Sequence, residues 1–141
     1  MSIAFADAQW VSDGHRLVGE TALRFAEREL MPNDARWRRE HRVDPATWQR
    51  AGELGLLLCD VPEAFGGGGG DFGHDAMIYR GLAHACEFGF TGGRAVHAIV
   101  AHYLLACGTD AQKERWLPKM ADGSAVGAIA MTEPGAGSDL K

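Results

Sequence analysis

The sequence has no excess of basic residues. It contains 14 lysines and arginines against 19 aspartates and glutamates, and the formal net charge of its 141 residues is -5. Nucleic-acid-binding proteins usually carry a basic surface that follows the phosphates, and peripheral membrane proteins place basic clusters against anionic lipids. The charge balance therefore argues against nucleic acid and against an anionic membrane surface as partners.

The sequence also lacks a long apolar run and a secretion signal. Its longest apolar stretch, residues 95–107, is interrupted by His97 and His102. It falls well short of the roughly 20 residues that span a bilayer. No basic segment precedes an apolar stretch near the N-terminus, as a secretory signal requires. Neither membrane insertion nor secretion is predicted.

Cysteines are few. The three that occur are an odd number, lie far apart and form no C-x-x-C pair. Disulfide frameworks belong to oxidising compartments and to cysteine-rich chains. We therefore predict reduced, buried thiols in a cytoplasmic protein.

Metal-ligand spacing is missing as well. The sequence has no His-Glu-x-x-His motif, and His97 and His102 are five residues apart, so they do not share a helix face. A lone histidine on an apolar helix is more often a hydrogen-bonded core residue than a ligand. The sequence predicts no metal site and a satisfied core role for His97.

The glycine run at residues 66–70 lacks the context of a phosphate-binding loop. Together with Gly73 it satisfies G-x-G-x-x-G, but no clear strand precedes it and no Gly-Lys-Ser/Thr sequence ends it. We reject the phosphate-loop interpretation and predict a flexible connection between two helices.

Helical periodicity runs through most of the chain. Apolar residues recur at spacings of three and four, which places them on one face of a helix. The predicted helices cover residues 8–30, 45–55, 72–87 and 91–107, and a further helix follows Thr109. The segment 91–107 is apolar almost all round and is predicted to lie in the centre of a bundle.

Start and stop signals divide these helices. Pro32 is predicted to end the first helix or to open the next short turn. Asp44 precedes a proline and is predicted to cap the second helix with its side chain. Thr109 and Gln112 form a capping box. Together these signals predict an all-α domain, a helical bundle, over residues 1–121.

The C-terminal segment, residues 122–141, departs from this pattern. Residues 125–131 form an apolar run that predicts a strand, but no second strand is evident to pair with it. Because unpaired strand edges expose backbone polar groups, a finished domain would not leave one here. The chain is therefore expected to be a fragment, or a subunit completed by another polypeptide, in which residues 122–141 begin a second domain.

A tight turn rich in glycine follows the predicted strand. Thr132 and Ser138 supply hydroxyls at its two ends, and Pro134 favours extended backbone before it. Gly135 and Gly137 can adopt the positive φ values that direct successive amides to one point. Such a nest binds anions, phosphate most often.

Four segments resemble the acyl-CoA dehydrogenase family of flavoproteins. Residues 132–139 read Thr-Glu-Pro-Gly-Ala-Gly-Ser-Asp, similar to the family signature Thr-Glu-Pro-x-Ala-Gly-Ser-Asp. Residues 62–69 resemble its Pro-x-x-Tyr/Phe-Gly-Gly-x-Gly connection, and residues 108–118 resemble its Gly-Thr-x-x-Gln-Lys-x-x-x-Leu-Pro run. Val96-His97 is similar to a frequent Val-His pair. The resemblance implies the family's N-terminal domain, an up-and-down helical bundle, followed by the first strand of a truncated middle β-domain.

The resemblance implies FAD as the cofactor. In the family, the threonine that matches Thr132 sits at the pyrimidine edge of the flavin, and the serine that matches Ser138 lies near the FAD pyrophosphate and the bound acyl-CoA. Ile129 and Met131 would contribute backbone groups, and Gly137 would offer an amide to the pyrophosphate. A fixed donor at the pyrimidine edge stabilises the negative charge that develops when the flavin is reduced.

The resemblance also implies where an acyl-CoA would bind. In the family the acyl tail runs between helices of the N-terminal domain, so the helix at 91–107 would help to line it. Ala95 and Ile99 are the candidate lining residues on that helix, together with Ser138 near the acyl-CoA. Plain core packing is the alternative interpretation of Ala95 and Ile99.

The implied reaction is α,β-dehydrogenation of an acyl-CoA thioester. An α-proton is removed and the β-hydrogen passes to FAD as hydride, which gives a trans-2-enoyl-CoA. Electrons would then pass to an electron-transfer flavoprotein, and the family context implies a homo-oligomer or a complementing subunit. The family's carboxylate base lies beyond the matching segments, so no residue here is assigned as a catalytic residue.

Two other interpretations stay open. The chain could be a non-catalytic helical module, which would be stable and helical but would bind no flavin. Acyl-CoA oxidases and related flavin monooxygenases share the family fold, and these residues do not distinguish them from a dehydrogenase. The acyl chain length is not determined by the sequence either.

Overall fold

The structure, a computed structural model, describes residues 8–85 and 89–138. Its elements in order are α1 (Asp13–Phe25), a π-helical turn (Ala26–Leu30), α2 (Met31–Glu40), α3 (Pro45–Glu53), a 3-10 turn (Glu63–Phe65), α4 (Phe72–His84), α5 (Gly89–Cys107) and α6 (Asp110–Ala121). The predicted all-α fold is confirmed. The predicted end of α4 at residues 86–87 lies outside the described residues. None of the helices above is long and apolar enough to cross a membrane.

The backbone stays helical through Pro32 instead of ending there. The amide of Met31 bonds to the carbonyl of Ala26, five residues back, so the helix widens just before the proline. Proline has no N–H and crowds the carbonyl four residues earlier, and a π-helical turn relieves that crowding. The amide of Asn33 also donates from its side chain to the Glu29 carbonyl at 2.9 Å. Helix α2 therefore continues directly from α1 to Glu40.

Helices α1 and α4 pack side by side and run in the same direction. Near the start of the two helices, Gly14 of α1 lies beside the His74 side chain of α4. Further along both helices, Gly19 of α1 lies against Gly81 of α4. A Cβ atom on Gly81 would stand 2.4 Å from the Gly19 carbonyl oxygen, so only glycine allows this approach.

Each of these two helices begins with a capping box in which the residue at the third helical position is a histidine. Ser12 and His15 form the box of α1, and Asp71 and His74 form the box of α4. Nε2 of His15 lies 2.8 Å from Oδ1 of Asp71, which joins the two caps. Hydrogen bonds from His15 and His74 hold the pKa of the Asp71 carboxyl below its usual range.

The hydrophobic core is built around Phe90, which is completely buried. Its ring centroid lies 4.8 Å from that of Trp48 in α3 and 5.6 Å from that of Phe25 in α1. Aromatic pairs at such separations add to the free energy gained by burial alone. Phe90 of α5 therefore packs against both α1 and α3 at one position in the core.

Helix α5 is buried on one face only, which corrects its predicted position in the centre of the bundle. Phe90, Arg94 and His97 face inward, whereas Ile99 and Tyr103 are 47% and 65% exposed. An apolar helix can thus leave one apolar face open when that face borders a groove. The hydrophobic pattern of α5 does not distinguish a core face from a groove face.

The glycine run at 66–70 is an ordered loop, which corrects the predicted flexibility. The amides of Gly67, Gly68, Gly69 and Gly70 donate to carbonyls of residues 58–62 at 2.8 to 3.3 Å. These amides are satisfied inside the chain, so they do not form an anion nest. A Cβ atom on Gly67 would lie 2.1 Å from the Val61 carbonyl oxygen, which explains the glycine at that position.

Asp44 flanks α3 as predicted, but its side chain does not cap the helix. Its carboxylate pairs with the Arg36 guanidinium instead. That pairing lowers the pKa of Asp44 to about 2. A local propensity has been overridden by a stronger charge-assisted contact with α2.

The strand predicted at residues 125–131 is not formed. In the described part of the chain the only β-type pairing is the isolated bridge between Glu133 and Ala136. A strand is stabilised by its ladder partner, and residues 125–131 have none within the described ranges. After α6 the segment instead runs as irregular backbone on the surface of the bundle, where the Gly127 amide bonds to His97.

Candidate functional site

An apolar groove of about 680 Å³ lies between α4 and α5. Helix α5 contributes Ala95, Ala98, Ile99, His102, Tyr103 and Ala106. Phe72, Asp75 and Tyr79 of α4 and Asp60 of the preceding loop complete it. Its volume falls in the usual range for small-molecule sites, and such sites combine apolar walls with a few placed polar groups. The groove therefore has the size and chemistry of a site for an elongated apolar ligand.

The two residues proposed from the sequence as pocket lining, Ala95 and Ile99, both line this groove. They are four residues apart, so they stand on one face of α5. Ala95 is half-buried and Ile99 is 47% exposed, so neither is enclosed in the core. That the groove binds substrate stays a prediction.

A buried arginine, Arg94, contacts two of the residues that line the groove. The sequence did not predict this role for Arg94. Arg94 is completely buried. Its Nε donates to the Leu56 carbonyl and its Nη2 to Oδ1 of Asp75, each at 2.5 Å. Its guanidinium carbon lies 4.6 Å from the Tyr79 ring centroid. Arg94 is the only charged residue of α5, and that isolation was the available sequence signal for a buried ion pair.

Cys59 next to this ion pair is not a nucleophile. Burial and the nearby Asp75 carboxylate raise its pKa to about 12, so the thiol stays protonated. Its sulfur lies 3.9 Å from Oδ1 of Asp75, toward which the S–H can donate. Cys107 is exposed, so the prediction that the cysteines are buried holds for Cys59 and fails for Cys107, while Cys86 lies outside the described residues.

His97 connects the bundle to the C-terminal segment. Its Nε2 donates to the Met120 carbonyl, and its Nδ1 accepts from the Gly127 amide, both at 3.0 Å. The two contacts together require the neutral tautomer that carries its proton on Nε2. The core role predicted for His97 agrees with this geometry. The same ring also holds the start of the C-terminal segment against α5 and α6.

We expect the stability of the protein to depend on pH through His97. Burial lowers the pKa of His97 below its ordinary value of 6.5, while an unfolded chain takes up the proton near that value. The stabilisation is therefore complete above pH 6.5 and is lost as pH falls through the folded-state pKa. Its slope approaches about 1.4 kcal/mol per pH unit.

The measurement is urea unfolding between pH 7.5 and 5, with His97→Gln compared with the wild type. Glutamine keeps a donor and an acceptor but does not titrate. The pH dependence of the variant should be flatter by the His97 contribution, and equal slopes would contradict the assignment.

The residues proposed for the cofactor lie in the C-terminal segment and away from the groove. Ile129 and Met131 are exposed, as are Thr132, Gly137 and Ser138. Ser138 does not line the groove, so the structure does not bring it next to Ala95 and Ile99. The remaining signature residue, Asp139, lies outside the described residues.

The predicted anion nest is not formed. Gly135 and Gly137 do not adopt positive φ values, and no atom of the described chain lies within 4 Å of a Cβ placed on either one. The Glu133 and Ala136 amides and carbonyls bond to each other at 3.0 and 3.1 Å and close a small turn. Glycine populates positive and negative φ about equally well, so its presence alone does not set the sign of φ.

Comparison with known proteins decides the family. The family model for the acyl-CoA dehydrogenase N-terminal domain matches residues 12–124, which covers α1 to α6. The chain belongs to the acyl-CoA dehydrogenase family. The family and fold predicted from the sequence motifs are confirmed.

Relatives within the acyl-CoA dehydrogenase family align with most of this chain. It is 38% identical over 132 residues to the long-chain specific mitochondrial acyl-CoA dehydrogenase of Mus musculus, which covers 92% of this chain and 30% of the mouse protein. Among solved structures it is similar to an acyl-CoA dehydrogenase of Geobacillus kaustophilus, with a TM-score of 0.85, 34% identity and coverage of 94% and 35% of the two chains. It is also similar to an acyl-CoA dehydrogenase of Bacillus anthracis complexed with FAD, with a TM-score of 0.82 and 33% identity. That match covers 94% of this chain and 22% of the Bacillus anthracis chain. The chain thus spans about a third or less of each relative.

Proposed function

We propose that this chain forms the N-terminal helical part of an FAD-dependent acyl-CoA dehydrogenase, and that the groove between α4 and α5 holds the acyl chain of the thioester substrate. The observation that carries the proposal is the apolar groove itself, with Ala95 and Ile99 on its α5 wall. Membership of the family supplies the reaction class.

The groove would act by burying the acyl chain and excluding water from it. Burial of a methylene group contributes about 0.8 kcal/mol, so several carbons in the groove provide binding energy that is independent of the thioester. Arg94 contacts two lining residues, Asp75 and Tyr79, and its bond to the Leu56 carbonyl holds it in place, so this wall of the groove is fixed. A fixed wall orients the substrate without reorganisation during the reaction.

The C-terminal segment has the donor types that suit FAD. Thr132 and Ser138 supply hydroxyls, Gly137 supplies a backbone amide, and Ile129 and Met131 supply backbone groups. Neutral donors of this kind fit a diphosphate and a flavin edge. When bound, FAD would supply the hydride acceptor for the β-hydrogen. The solved Bacillus anthracis relative is complexed with FAD, which supports this part of the proposal.

The electron acceptor and the assembly also belong to the proposal. We infer an electron-transfer flavoprotein as the acceptor, as the family resemblance implies. Large apolar side chains on the groove side, such as Phe72 and Tyr103, are 78% and 65% exposed. Further polypeptide packing against this side, from the same protein or from a complementing subunit, would cover them. The carboxylate base is not assigned to any residue of this chain.

The groove is tested by acyl-CoA binding to the purified protein. Palmitoyl-CoA, kept below its micelle concentration, and free CoA are titrated separately by calorimetry. We expect the acyl-CoA to bind and free CoA to bind at least tenfold more weakly, because the acyl carbons occupy the groove. Ile99→Asp should weaken acyl-CoA binding by about tenfold or more, because a charge would have to be desolvated against the ligand.

Leu17→Asp is the matched control for this experiment. Leu17 lies on α1, is 64% exposed and does not line the groove, so its replacement adds the same charge elsewhere. It should bind palmitoyl-CoA like the wild type. Equal binding by the Ile99 variant and the wild type, or no preference for acyl-CoA over CoA, would reject the groove as the acyl site.

A further inference from the structure

Two histidines and one aspartate meet where α1 and α4 begin. Nε2 of His15 and Nδ1 of His74 each lie 2.8 Å from Oδ1 of Asp71. One ligand atom from each of these three residues lies within 4.8 Å of the other two. Imidazole nitrogens and a carboxylate in this arrangement form the donor set that zinc and related divalent metals bind.

His15 has a backbone partner for each of its two neutral tautomers. Its Nδ1 lies 3.0 Å from the Ser12 amide, which serves the tautomer protonated on Nε2. The same Nδ1 lies 3.1 Å from the Trp10 carbonyl, which serves the tautomer protonated on Nδ1. The second tautomer leaves the Nε2 lone pair free for a metal. A metal-bound histidine almost always donates its other N–H to such a carbonyl or carboxylate.

We propose that His15, Asp71 and His74 form a binding site for a divalent first-row transition metal of the Zn²⁺ type, which clamps the first turns of α1 and α4 together. A site of two histidines and one carboxylate uses three protein ligands and leaves a coordination position for water. Tetrahedral Zn²⁺ bonds of about 2.0–2.2 Å place ligand atoms about 3.3 Å apart, so the 2.8 Å separations would open by about half an ångström on binding.

The surroundings of the cluster give the metal access. A cavity of about 380 Å³ is lined by Trp10, His15, Asp71 and Gly73, among others. A Cβ atom on Gly73 would lie 2.7 Å from Nε2 of His15, so a side chain there would displace the ligand atom. The two helix N-termini oppose a cation, and only one ligand is anionic, so the affinity should be moderate rather than that of a closed structural zinc site.

A second cluster, formed by Cys59, Asp60 and Asp75, is a poorer candidate. The guanidinium of Arg94 already neutralises Asp75 at 2.5 Å, and a metal would have to displace it. Cys59 is held as a protonated thiol, whereas metals bind the thiolate. In the cluster of His15, Asp71 and His74, by contrast, the side-chain contacts of the Asp71 carboxylate are with the two histidines themselves.

The test is calorimetric titration of metal-stripped protein with Zn²⁺ alone, followed by thermal unfolding with and without Zn²⁺. We expect one Zn²⁺ per chain and a higher Tm with metal, because binding to the native state stabilises it. His15→Gln, His74→Gln and Asp71→Ser should each weaken Zn²⁺ binding by at least about tenfold, since losing an outer partner alone costs about 10–100-fold.

These variants keep the helix caps. Gln112 already forms the third residue of the α6 capping box with Thr109, and Ser12 already caps α1 with its hydroxyl. Glutamine at 15 or 74 and serine at 71 therefore replace metal ligands without removing cap hydrogen bonds, and circular dichroism checks the fold. His84→Gln, an exposed histidine in the last turn of α4, should bind Zn²⁺ like the wild type. No Zn²⁺ uptake by the wild type, or equal uptake by the cluster variants, overturns the proposal.

Discussion

Replacing Asp75 with alanine should lower the free energy of unfolding by about 3–5 kcal/mol, measured by urea denaturation at pH 7. Arg94 is completely buried, and Asp75 is the carboxylate that balances its charge. Without Asp75 the guanidinium stays in the interior with an uncompensated charge. Its Nη1 has no hydrogen-bond partner among the described residues, so the guanidinium depends on its contacts with Asp75 and the Leu56 carbonyl. Such a loss is a large part of the stability of a domain of this size.

Two further variants separate charge burial from the mere loss of a salt bridge. Asp34→Ala removes a partner of Arg38 at 2.7 Å on the exposed surface of α2 and should cost less than about 1 kcal/mol. The double variant Arg94→Met with Asp75→Leu removes both charges and should recover most of the loss, because an apolar pair fills the same space. If Asp75→Ala costs no more than Asp34→Ala, the buried pair does not have the role we assign to it.

Replacing Phe90 with alanine should also cost about 3–5 kcal/mol. Phe90 has no exposed surface, and its ring packs against Trp48 and Phe25. Its removal takes away a large transfer free energy and leaves a cavity between three helices that cannot fully close. Urea unfolding followed by tryptophan fluorescence measures the change next to Trp48.

Phe72→Ala is the matched control for Phe90→Ala. Phe72 begins α4 and is 78% exposed, so the same substitution there should change the free energy of unfolding by less than about 0.5 kcal/mol. Phe72 also lines the groove, so the control can be reused in acyl-CoA titrations. A loss below about 1 kcal/mol for Phe90→Ala would show that the three helices do not depend on this ring.

The candidate site was only partly predictable from the sequence. The position of Ala95 and Ile99 on one face of a helix follows from their spacing, and both do line the groove. The groove itself depends on how far α4 stands from α5, and no local pattern gives that distance. The nest expected at Gly135 and Gly137 was wrong because glycine permits a positive φ without requiring it.

The sequence by itself determined the helices, several of their ends and the family. The capping box of Thr109 and Gln112 forms as predicted because it involves residues three apart, and the family motifs are equally local. Tertiary structure decided the contacts between distant residues: Arg94 with Asp75, His97 with Gly127, and His15 with Asp71. These pairs are 19, 30 and 56 residues apart. Their partners are fixed only when packed helices bring them together, and the free energy of that packing comes from the whole core rather than from either residue.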